Sequence, residues 1–74
     1  MYHFTGIQHT KTGEVTIPTL DFDTLETALN KFHEEWVYTY ASEDRMGLDT
    51  IIFDDQGKVV FTDKYVKGAV NQNV

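Results

Sequence analysis

Histidine is both the commonest metal ligand and the commonest general base, so the three histidines are the first residues to weigh for chemistry. His33-Glu34-Glu35 begins like the helical motif in which two histidines one turn apart hold zinc, but Val37 stands where the second would be. The default for His33 is then an exposed place on the shoulder of a helix. His3 and His9 share strand parity and line one face of a strand if Gly6, between them, does not shift the phase. Ordinary surface positions are the simplest reading for both. An enzyme using His33 with Glu34 or Glu35 would depend on convergence in space that no spacing announces.

Nucleophilic and phosphate chemistry find less support. The chain has no Cys, and its single Ser42 lies in Ala41-Ser42-Glu43 without a glycine-flanked elbow. Glycines at 6, 13, 47, 57 and 68 are too scattered to cradle a phosphate. Asp54-Asp55-Gln56-Gly57 lacks the alternating acids and distal Glu of a calcium loop, and a hairpin turn accounts for it. The expectation is a protein that is not an enzyme and carries neither cofactor nor metal.

Charge and aromatic content point to binding. The formal charge is −6, which opposes general attraction to nucleic acid or anionic membranes. The imbalance is local: positions 21 to 55 hold ten acids against Lys31 and Arg45, whereas Lys58, Lys64 and Lys67 face only Asp63 in positions 56 to 74. Glu26, Glu34 and Glu35, continued by Glu43, Asp44, Asp54 and Asp55, form an acidic face suited to a basic groove on a partner, or simply to solvation. Of the ten aromatic residues, Phe4, Phe22, Phe32, Trp36, Phe53 and Phe61 are assigned to the core. Tyr38 and Tyr65 remain as candidate interface rings. Tyr65 with Lys64, Lys67 and Arg45 offers a weaker alternative, a ring to stack on a base and cations to meet its phosphate.

These residues need elements to position them. Seventy-four residues make one small domain, with positions 1–67 as its body and 68–74 as a frayed tail. Tyr2 to Thr10 reads as a strand, with Tyr2 and Phe4 in one phase and Ile7 in the other, so that a bulge at Gly6 could switch the phase. Gly13 suits a hairpin loop into Val15-Thr16-Ile17, and Pro18 ends that second strand or places it at an open edge. Asp23-Thr24-Leu25-Glu26 has capping-box spacing and opens a helix. Leu25, Ala28, Leu29, Phe32, Trp36 and Tyr40 form its core stripe, while Tyr38 lies opposite, exposed. Ser42 to Gly47 closes the helix, with Gly47 as its left-handed stop.

A second hairpin joins Asp49–Phe53 to Lys58–Val66 through Gly57. These two strands are expected to be central, with Ile51, Phe53, Val59 and Phe61 on one face and Ile52 and Val60 on the other. The fold class is therefore α+β, ββαββ, one helix on a four-stranded, largely antiparallel sheet. Because one helix covers one face only, a second copy of the chain is expected on the other, as a homodimer or higher oligomer.

The absence of Cys suits the cytoplasm, no apolar run approaches the ~20 residues of a membrane span, and Met1 to Gln8 lacks a signal peptide's pattern. Phe22 to Leu29 looks like the strand-to-helix transition of many small bacterial and phage open reading frames and implies no particular family. The leading expectation is an acidic binding module of the inhibitor type that occupies or sequesters a protein partner, with Glu34, Glu35 and Tyr38 as its contact. The alternative is capture of an anionic nucleotide at a subunit junction by Arg45, Lys64, Tyr65 and Lys67.

Overall fold

The computed structural model describes residues 1–67; the tail expected to fray lies outside them. Its elements are β1 (Tyr2–Thr10), β2 (Gly13–Phe22), α1 (Leu25–Ala41), β3 (Arg45–Asp54) and β4 (Val59–Val66). They form a four-stranded antiparallel sheet in the order β2-β1-β3-β4, with α1 across one face. The ββαββ expectation holds. The central pair is β1 with β3, however, and β4 is an edge, because the second hairpin docks through β3 against β1, leaving β2 and β4 outermost.

The helix-side core alternates along the central strands. Phe4, Leu48 and Ile52 are fully buried, with Ala28 and Phe32 of α1 and Ile17 of β2 packed among them. Phe4, Gly6 and Gln8 are all buried, so β1 keeps a single phase through Gly6. The register shift between Phe4 and Gly6 is taken up by β2, where Leu20 pairs with Phe4 and Ile17 with Gly6 around Pro18. Pro18 is tolerated because β2 is an edge, and the strand runs through it rather than ending there.

Several local expectations are corrected. The N-cap is Thr24, whose hydroxyl accepts from the Thr27 amide at 3.2 Å, so a threonine pair replaces the capping box from Asp23 to Glu26. Helix α1 ends at Ala41, and Gly47 is an interior residue of β3 rather than a left-handed stop. Tyr40 is 61% exposed and Thr39 is buried instead, because the 3.6-residue period drifts off the stripe over four turns. Thr39 can be buried because its hydroxyl donates to the Glu35 carbonyl at 2.8 Å.

A register shift between Ile52 and Phe53 pairs Phe61 with Ile52, on the helix side, where its ring meets Phe32 edge-on at 4.9 Å. Phe61 is therefore not on the face of Ile51, Phe53 and Val59. Phe53 leaves the helix-side core and lies on the open face against the His3 ring, 5.1 Å between centroids. The loop into β4 is an Asx turn: Asp54 Oδ1 accepts from the Gln56 and Lys58 amides, each at 2.9 Å, and Gly57 takes φ +81°.

Candidate functional site

The outer face of α1 carries the exposed apolar surface that the core does not use. Val37 and Tyr38 are 57% and 52% exposed, and with Asn30, His33 and Glu34 they line a shallow hollow along the helix. Glu26, Glu34, Glu43 and Asp44 are exposed on the same element or just beyond it. Tyr38 is held in place: the Arg45 guanidinium lies 5.1 Å from its ring centroid and points an N–H at its hydroxyl from 3.5 Å.

That arginine is fixed in turn from below. Arg45 donates to Gln8 Oε1, Gln8 Nε2 donates to Glu35 Oε1 at 2.6 Å, and Lys31 pairs with Glu35 at 2.9 Å, one turn away. The Glu35 carboxylate holds the Lys31 ammonium's pKa above its ordinary value, chiefly through this bond. Glu35 thus turns toward the sheet and orders the relay, whereas Glu34 and Tyr38 face out. Gln8 is the residue that sequence reasoning missed. Its signal was a polar side chain in the same strand phase as Phe4, where an apolar residue belongs.

The four residues of the nucleotide alternative do not share a surface. Lys64 is exposed on the face away from the helix, paired in register with Asp49. Tyr65 is on the helix side, its ring 5.1 Å from Trp36. Lys67 donates to the Ser42 carbonyl and approaches that of Thr39, satisfying the last carbonyls of α1. Arg45 belongs to the Tyr38 relay.

On the open face the two strand histidines line up as the undisturbed phase of β1 requires. His9 lies between Glu14 at 3.2 Å and Asp49 at 2.9 Å. His3 lies between Asp21 at 2.7 Å and Asp55 at 2.8 Å, and the Met1 ammonium meets Asp55 at 2.9 Å. Among the described residues, no group of three or more His, Cys, Asp or Glu could hold a metal ion.

The Asp21 and Asp55 hydrogen bonds raise the His3 pKa above its ordinary 6.5. The Met1 ammonium and then His3 lower that of Asp55 below its ordinary 3.8. A raised histidine stabilises the fold fully below 6.5 and ceases to do so as pH rises through its folded value; a lowered carboxylate stabilises above 3.8 and ceases to as pH falls through its own. The cluster's contribution is thus complete only between those two pH values. An NMR titration should place the His3 midpoint above 6.5, and Asp21→Asn should bring it down. A wild-type midpoint at or below 6.5 would contradict the geometry.

The fold and these surfaces define a small α+β domain with one sheet face uncovered and an exposed tyrosine braced by Arg45 on its helix. No protein-family model, curated protein or solved structure matches the chain. No helix of the described residues is long and apolar enough to cross a membrane.

Proposed function

We propose that the chain is a non-enzymatic, acidic binding module of the inhibitor type, which works as a homo-oligomer and sequesters a protein partner through the outer face of α1. The observation that carries this reading is Tyr38, exposed, braced by Arg45 and beside Glu34, with Glu43 and Asp44 exposed just past the end of the helix. A ring already fixed by its neighbours loses little entropy on binding, and buried aromatic anchors supply most of the energy of protein interfaces. Glu34, Glu43 and Asp44 select a basic partner surface and speed encounter with it. Glu35 serves as support for this contact rather than as part of it.

The test is co-purification of a partner with the tagged chain. Tyr38→Ala should weaken retention at least about 30-fold, the equivalent of ~2 kcal/mol, and Glu34→Lys should weaken it most at low salt. Helical circular dichroism should be unchanged in both. A partner retained equally by wild type and both variants would remove the helix face from the account.

A further inference from the structure

The sheet face opposite α1 is a continuous surface of mixed character. Ile7 of β1, Ile51 and Phe53 of β3, and Val59 and Val66 of β4 point to this side, as do Thr5, Thr16 and Thr62. Ile7, Val59 and Val66 are exposed, and Thr5, Ile7, Thr16, Asp49, Ile51 and Thr62 line a hollow of about 390 Å³ across all four strands. Monomeric proteins seldom leave a contiguous apolar surface of several hundred Å² in water.

We infer that a second copy of this chain covers the open sheet face, so that two sheets pack face to face with a helix outside each. The inference rests on the oligomeric part of the reading above and is independent of the contact made by α1. Size is the first argument. Four strands of eight to ten residues span roughly 19 by 30 Å at strand spacings of about 4.8 Å and rises of about 3.4 Å, a projected area near 600 Å². Side-chain relief brings the accessible area to the scale of about 800 Å² per partner found in stable interfaces.

Charge is the second argument. Asp21 and Asp55 are bonded to His3 and Glu14 to His9 toward the ends of this face, while Asp49, opposite Ile7, is bonded to His9 and stands in register with Lys64. The Ile and Thr side chains among these paired groups can meet a second identical surface at the ~10 Å separation of packed sheets. Nucleic acid or an anionic membrane would instead meet four carboxylates on this face. A two-fold arrangement is also the commonest solution when one patch must match itself.

Sedimentation equilibrium on the full chain at about 100 µM tests this. The wild type should sediment at twice the chain mass. Ile7→Lys and, as a second probe should the first fail to fold, Thr62→Arg should each raise the dimer dissociation constant at least about 30-fold, with the far-ultraviolet spectrum retained. Val37→Lys on the helix should remain dimeric, which separates this interface from the partner contact. A monomeric wild type, or a dimer that survives both sheet-face substitutions in folded protein, would overturn the inference.

Discussion

Phe4→Ala is expected to leave the chain with almost no folded population at room temperature. Phe4 is fully buried in β1, a central strand, among Leu48, Ile52, Ala28 and Phe32. Truncating a buried Phe costs about 3–5 kcal/mol through lost transfer energy and the cavity left behind. A single core in a chain of this length rarely supplies more than about that amount. Urea unfolding followed by circular dichroism, at one fixed protomer concentration, should place the midpoint near zero denaturant. A loss under about 1 kcal/mol would mean that the core is not organised around β1.

Gly6→Ala is expected to be nearly as damaging, although it adds a single methyl group. A Cβ at Gly6 would lie 2.5 Å from the carbonyl oxygen of Asp49 on the neighbouring strand, with Thr50 Cγ2 and Ile17 Cδ1 at 3.3 and 3.4 Å. The near atom is backbone in the middle of the β1–β3 ladder, so no rotamer change relieves the clash and the strands must separate. Overpacking in a closed site costs about 1–3 kcal/mol, and this case belongs at the upper end. Gly57→Ala provides the comparison, since its Cβ meets nothing within 4 Å and only the positive φ is at stake. Equal denaturant midpoints for Gly6→Ala and wild type would show that the two strands are not so closely apposed.

The fold was readable where local chemistry and periodicity agreed. The two hairpin glycines, the proline at an edge and the apolar stripe from Leu25 to Trp36 each follow from backbone sterics or helical period, and each corresponds to an element found. Strand order and the side taken by Phe61 depend on register between strands distant in sequence, whereas the cap is decided between Thr24 and Thr27 and the side of Tyr40 by drift of the helical period. A shift between Ile52 and Phe53 moves Phe61 across the sheet without any mark in its own neighbourhood. Gly47 had the composition of a helix stop, yet its place is in β3, where a Cβ would meet the Tyr65 carbonyl at 3.0 Å.

The candidate site was half legible for the same reason. Helical periodicity alone puts Tyr38 and Glu34 outside, and so they are. Charge alone groups Glu35 with them, but its partner Gln8 is 27 residues away on β1, and the relay from Lys31 to Arg45 exists only once helix and sheet have docked. Tyr65, Lys64 and Lys67 are neighbours in sequence, but strand alternation sends Lys64 to one face and Tyr65 to the other.

Native mass spectrometry of gently purified protein tests in one spectrum both the proposed oligomer and the proposed protein contact through Tyr38. The expected spectrum shows a mass of two chains together with a retained protein, and loss of that protein, with the two-chain mass intact, in Tyr38→Ala. A bare single chain, or two chains carrying only a small molecule, would contradict it.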